Sequence, residues 1–150
     1  MKRTVFKRTT WTRAVVVLPA AAFVLASGCA GSTVTFVISR GNRALAVEVA
    51  RLPAVRSKGL TGGKSLPSDS GMLFDFGGNV EVSFWMKDTS IPLSIAFIER
   101  DGTVLSIRDM RPYDLSAVEP GGEYRYAVEA NRGWFERNGV KPGDRAKLDI

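Results

Sequence analysis

The sequence predicts an all-β domain: a β-sandwich or small barrel of about eight strands, with two short helices. Three observations predict it. Short runs rich in β-branched and aromatic residues recur from Val34 to the C-terminus. Several of them alternate apolar and polar residues with a period of two. Gly, Pro, Asn and Asp punctuate the gaps between them. Strands spaced in this way by turn signals favour a sandwich or barrel.

The elements follow in order. Val34 to Ile38 is a strand run, and Gly41-Asn42 is a turn. Arg43 to Ala50 sets Leu45, Val47 and Val49 against Ala44, Ala46 and Glu48, which puts the larger apolar side chains on one face. Pro53 to Leu60 reads as a short helix, because proline suits its first turn and Gly59 its end. Thr61 to Gly71 is a loop. Gly71 to Phe76 and Val80 to Met86 read as two strands around Gly77-Gly78-Asn79. Lys87 to Pro92 is a loop. Leu93 to Glu99 and Thr103 to Met110 flank Asp101-Gly102, a strong hairpin signal. Arg111 to Gly122 is a loop with two prolines. Glu123 to Ala130 alternates again, Gly133 to Asn138 is one helical turn, and Arg145 to Ile150 is a last strand after the Pro142-Gly143 turn. No internal repeat, low-complexity segment or second domain is evident.

Residues 1–28 differ in kind. Lys2, Arg3, Lys7, Arg8 and Arg13 lie there with no acid, and an apolar run of 12 residues follows from Ala14 to Leu25. That run is short for a bilayer span, which needs about 20 residues. A basic region, a short apolar region and small residues before a cleavage point form a secretory signal. Cys29, the one cysteine of the chain, follows Ser27-Gly28 directly and resembles a bacterial lipobox, although Leu25 lies one residue further upstream than usual. The expected organisation is a lipoprotein signal peptide at 1–28, an acylated Cys29 with tether and first strand at 29–42, and a β domain at 43–150. The expected location is extracytoplasmic, lipid-anchored to the cell membrane or to the periplasmic face of an outer membrane. The alternatives are an ordinary cleaved signal with an incidental cysteine and an uncleaved anchor. A lone cysteine in an exported chain cannot form an internal disulfide, and acylation gives it a purpose.

Removing the leader changes the charge. Five of the 21 basic residues leave with it, so 16 remain against 15 acids, a net charge of +1. The remaining charges are scattered, which argues against a nucleic-acid partner, for which a basic patch is needed. The 122 residues from Cys29 onward suffice for one domain that buries around 65% of its unfolded surface.

Three stretches carry a resemblance. They are Leu66-Pro67 with Gly71-Met72-Leu73-Phe74, then the run from Phe84-Trp85-Met86-Lys87-Asp88-Thr89 to Ile98, then Glu129-Ala130-Asn131-Arg132-Gly133-Trp134-Phe135 with Gly139, Gly143 and Asp144. Together they resemble the domain of unknown function family number 192, over roughly residues 43 to 150. The resemblance implies a compact β-sandwich-like fold, often behind a signal or lipoprotein leader, and no established reaction. The chain departs from the family pattern at Asp88, where asparagine is frequent, at Ser94, where aspartate is frequent, and at Thr61, where methionine is usual. If that aspartate acts chemically in relatives, Ser94 removes the role here.

The chain contains no histidine. This excludes Ser-His-Asp and Cys-His catalysis and histidine zinc sites. The acids are dispersed, so no calcium loop forms, and neither a metal nor a cofactor is expected. Two polar segments each follow a strand and carry an aromatic residue. In the first, Lys87, Asp88 and Thr89 supply a cation, an anion and a hydroxyl beside Trp85. In the second, Glu129 and Asn131 lie beside Trp134. Lys87, Asp88, Thr89, Glu129, Asn131 and Trp134 are the candidate ligand-binding residues, expected to share one polar pocket. The plainer reading makes Lys87 and Asp88 surface charges, Thr89 a turn cap, Asn131 an Asx turn and the tryptophans core. The favoured function is a membrane-tethered domain that binds a small ligand or an envelope protein without catalysis. A first rival is a hydrolase of envelope glycans that pairs Glu129 with Asp88, Asp101 or Asp109 at about 5 to 9.5 Å. A second is a purely structural or interaction module, which would bury Trp85, Met86 and Trp134.

Overall fold

The computed structural model describes residues 33–38 and 43–148. Cys29 and the leader lie outside the described residues. The mainly-β expectation holds. The order is β1 (Thr33–Ile38), β2 (Arg43–Ala50), α1 (Pro53–Lys58), β3 (Ser70–Val80), β4 (Leu93–Ile98), β5 (Val104–Met110), β6 (Tyr124–Asn131), α2 (Trp134–Arg137) and β7 (Ala146–Leu148). The strands form one mixed sheet in the order β5-β4-β6-β3-β2-β1-β7. Only β2 and β3 run parallel, with Ala46 opposite Ser70 and Ala50 opposite Phe74. A parallel pair needs a crossover, and α1 with the loop after it provides one. The sheet is not a closed barrel. Its two edges touch at a single bridge, Thr103 with Arg145, beside the hydrogen bond from the Val104 N–H to the Asp144 carbonyl.

The short helices fall where proline and glycine place them. Pro53 opens α1, and the Gly59 N–H closes it on the Val55 carbonyl with φ at 51°. Gly133, left-handed at φ 74°, precedes α2. In the β4–β5 hairpin the Thr103 N–H donates to Asp101 Oδ1 at 2.9 Å. At the turn before β7 the Lys141 N–H donates to Asp144 Oδ2 at 3.0 Å.

One expected strand is absent. Gly77-Gly78-Asn79 does not divide two strands; it lies inside β3, at an irregularity between Asp75 and Val80. Val80 still pairs with Tyr124 as the end of β3, and residues 81–86 leave the sheet. The reason is topological: β6 already has β3 on one side and β4 on the other, so no edge is open to them. Val82 and Phe84 are instead fastened across the face. The Tyr124 hydroxyl donates to the Val82 carbonyl at 2.7 Å, and Phe84 forms a lone bridge with Val118.

The central strands are buried on both sides, and β4 is buried at every position. Two apolar clusters result. The first gathers Leu45, Val47, Leu73, Ile98, Val128, Trp134 and Phe135. The second gathers Met72, Phe74, Met86, Ile95, Phe97, Tyr124 and Ala127, with Val55 and Leu60 of the α1 region packed on it. An edge-to-face ring network runs through this second cluster, with Phe74–Phe84 centroids 5.1 Å apart and Phe97–Tyr124 centroids 4.9 Å apart.

Gly71 sits where β3 meets β6 most closely. A Cβ there would collide with the Glu129 carbonyl oxygen and meet Leu45 Cδ2 at 3.0 Å. Gly71→Ala should therefore cost about 2 kcal/mol or more of stability, read from urea unfolding monitored by circular dichroism. A change within 0.5 kcal/mol of wild type would show that the two strands part without penalty.

Candidate functional site

Glu129 is the acid that the fold treats most harshly. It lies on β6 opposite Met72 of β3 and Ile95 of β4. Its residue exposure is 5%, and its Oε2 has no protein hydrogen-bond partner. Burial alone pushes its pKa up to about 8, since low dielectric disfavours the charged form. At neutral pH the group is mostly a neutral carboxylic acid, a donor as well as an acceptor.

Glu129 is among the residues that line a cavity of about 270 Å³ on the second-cluster face. Phe74, Phe76 and Phe84 supply aromatic surface, and Thr61, Ser83 and Thr89 supply hydroxyls. Arg56, Lys58 and Lys87 bring three cations. Among the described residues that line the cavity, Glu129 is the single acid. Trp85 also lines it and is 59% exposed, with Lys87 Nζ 5.7 Å from its ring centroid. Arg56 is already engaged, since it donates to the carbonyls of Arg51 and Asp75 and lies over the Phe76 ring.

The segment bearing Lys87 is firmly held. The Met86 N–H donates to the Asp114 carbonyl at 2.9 Å, and the Thr89 hydroxyl donates to the Lys87 carbonyl at 3.2 Å. The Asp88 carbonyl accepts from the Gly62 N–H, and the Thr89 carbonyl accepts from the Tyr113 N–H. Asp88 and Tyr113 are the two non-glycine residues with positive φ among those described, at 54° and 60°. Such strain persists only where surrounding contacts hold it, and here both residues adjoin Thr89.

The six sequence candidates separate. Lys87, Thr89 and Glu129 line one cavity. Asp88 is exposed beside it and does not line it; its role is the backbone turn. Asn131 makes no Asx turn. Its Nδ2 donates to the Leu66 and Pro67 carbonyls at 3.0 and 2.8 Å and pins the crossover loop. Trp134 is 2% exposed in the first cluster, and its Nε1–H donates to Asp69 Oδ1 at 2.9 Å. The second polar segment thus points its ends to opposite faces of the sheet, with Glu129 toward the cavity and Trp134 away from it. Ser94 also proves structural. It donates to Asp109 Oδ1 at 2.6 Å and accepts from the Gly133 N–H at 2.9 Å. Arg132 pairs with Asp109 rather than with Glu129, and Asp101 pairs with Arg145.

Sequence reasoning missed the contribution of Arg56 and Lys58 on α1 and of Thr61 just after it. Basic residues in the last turn of a short helix read as partners of its dipole, and only the crossover brings them over β6.

A family model matches residues 35–148, that of DUF192, described as Uncharacterized ACR. The chain belongs to this family. The match begins eight residues before the expected start at 43. A Sinorhizobium meliloti 1021 protein, described as a proposed transcription regulator, is similar in structure with a TM-score of 0.75 and 34% identity, covering 81% of this chain and 98% of its own. A Novosphingobium aromaticivorans DSM 12444 protein of unknown function has a TM-score of 0.71 and 34% identity, covering 77% of this chain and 83% of its own. No curated protein matches the chain. Within this DUF192 domain, no described helix is long and apolar enough to cross a membrane. No described group of acids could hold a metal ion.

The raised pKa of Glu129 has a stability consequence. The folded chain holds the proton more tightly than the unfolded chain, whose glutamate titrates near 4.5. The native state is therefore favoured most below about 4.5 and loses this advantage as pH rises toward about 8. Glu129→Gln keeps the shape and removes the titration. Its stability relative to wild type should rise across that window, by a few kcal/mol at most. Denaturant midpoints at pH 5 and pH 8.5 measure it, and parallel profiles for the two proteins would contradict the neutral buried acid.

Proposed function

We propose that this DUF192 protein is a lipid-tethered, extracytoplasmic binding domain that takes a small ligand in the cavity over Glu129 without chemistry of its own. The observation that carries the reading is Glu129, buried with its Oε2 short of a hydrogen-bond partner, among the residues that line an open cavity with Lys87 and Thr89. A protein that merely needed a packed face would place an apolar residue there, because an unsatisfied buried polar group costs about 1–3 kcal/mol. Apolar walls with a few convergent polar groups and a perturbed acid are the usual marks of a ligand site. The exposed Trp85 at the cavity has the same character, a large ring left in solvent where a ligand could cover it.

Catalysis by two carboxylates has less support, since a single acid lines the cavity among the described residues. Transcription regulation, the role proposed for the S. meliloti relative, has less support too as far as it needs nucleic-acid binding, given 16 basic against 15 acidic residues after the leader. The purely structural reading accounts well for Ser94, Asn131 and Trp134, and leaves Glu129, Trp85 and Lys87 without a purpose.

Two experiments test the proposal. The full-length protein is titrated with sugars, nucleotides, carboxylates and amino acids while tryptophan emission is followed. A specific ligand should bind wild type and weaken about tenfold in Lys87→Ala; no response from any class, or equal binding to the variant, would leave the cavity without a role. For the tether, Cys29→Ser should move the protein from the membrane to the soluble fraction, since acyl chains supply the anchorage. A variant that still sediments with membranes would overturn it.

A further inference from the structure

The cavity has an order to its charges. Its one acid is the buried Glu129, and its cations sit on the cover: Arg56 and Lys58 on α1, and Lys87 on the segment that bridges to Val118. Beside Glu129 the two paired strands offer Met72 and Ile95, whose side chains carry no hydrogen-bond donor. No described acid forms an ion pair with Lys58 or Lys87. The site therefore holds an acceptor, Glu129 Oε2, without a donor, and cations without an acid beside them.

We propose that the ligand is a small zwitterion, an α-amino acid or a compound of the same charge pattern, with its ammonium seated on Glu129 and its anionic group held by Lys87 and Lys58. The inference rests on the binding role proposed above and names its ligand class. An ammonium brings three donors and a full charge to the unpartnered carboxyl, and a hydroxyl or amide brings only neutral bonds. The Phe74 and Phe84 rings in the same lining favour a cation over bulk apolar surface. A bare amine would meet the repulsion of the lysines as it entered, and a bare anion would bring no donor to Glu129 Oε2. A zwitterion answers both ends at once. The volume of about 270 Å³ falls just below the usual range for drug-sized ligands and suits a molecule of amino-acid size. The charged groups that line the cavity with Glu129 are Arg56 and Lys58 from α1 and Lys87 from the bridging segment; β3 and β4 contribute no titratable group to the lining. As the ammonium seats, Glu129 gives its proton to solvent and the neutral acid becomes one half of an ion pair.

Calorimetry on the full-length protein with the twenty L-α-amino acids tests this. The tightest binder is then compared with its deaminated acid and its decarboxylated amine on the wild-type chain, so the result does not depend on any variant folding. Each analogue should bind about tenfold more weakly or worse. Glu129→Gln should lose the preference for the amino acid over the deaminated acid. Lys87→Ala should lose the preference over the amine. At neutral pH the heat should vary with the buffer's ionisation enthalpy, reporting proton release. A deaminated acid that binds as tightly as its parent overturns the ammonium seat and leaves the binding role standing. If no amino acid, acid or amine binds, the zwitterion proposal falls; the wider titration with sugars and nucleotides then decides the binding role by itself.

Discussion

An apolar sheet face has to be kept from water, and here the chain has very little regular structure with which to do it. The second cluster runs across β3, β4 and β6, and the cover is a six-residue helix, a crossover loop and an extended segment that has left the sheet. Burial of such a face is the main favourable term in folding. Everything placed over it must therefore be anchored by single polar contacts. The Tyr124 hydroxyl on Val82, the Asn131 amide on Leu66 and Pro67, and the Ser90 hydroxyl on the Gly63 carbonyl are such anchors. The cavity lies where the anchored pieces meet incompletely, and Glu129 lies beneath it.

The same sheet explains why neighbouring residues in one motif act so differently. Alternation along β6 sends Val128 and Ala130 into the first cluster and leaves Glu129 with the other face. Asn131 ends the strand and reaches back to the crossover, and Gly133 turns the chain so that Trp134 enters the first cluster. Trp134 and Asn131 hold the crossover loop through Asp69, Leu66 and Pro67. That loop connects α1 to β3, so these residues position the cations of α1 without touching the cavity.

Much of this was legible in the sequence. Alternation placed Leu45 and Val47 inside, Asp101-Gly102 marked its hairpin, and Pro53 with Gly59 bounded α1 within a residue or two. Lys87, Thr89 and Glu129 were recognisable as polar groups leaving apolar strands. Three things were not legible, each for a physical reason. The Val80–Met86 run has strand character, but pairing depends on an open edge, and β6 had none to offer. Period-two reasoning gives relative faces and not which face is roofed, so Glu129 could not be separated from Trp134. The parallel crossover that sets α1 over the sheet is a long-range arrangement with no local signature. Trp85 and Trp134 look equivalent in sequence, and one is exposed while the other is almost fully enclosed.

The bridge between Thr103 and Arg145 has a bearing on how the molecule comes into being. β7 pairs with β1, and the residues just before it lean on the start of β5. The earliest strand of the described chain pairs at once with β2, and its outer edge waits for the latest one. Until residues 143–148 arrive, both flanks of the sheet present unpaired backbone, and bare flanks of that kind recruit strands from other molecules. Shielding of the half-made sheet thus falls to its last few residues, and a shortened chain would be sticky before it was unstable.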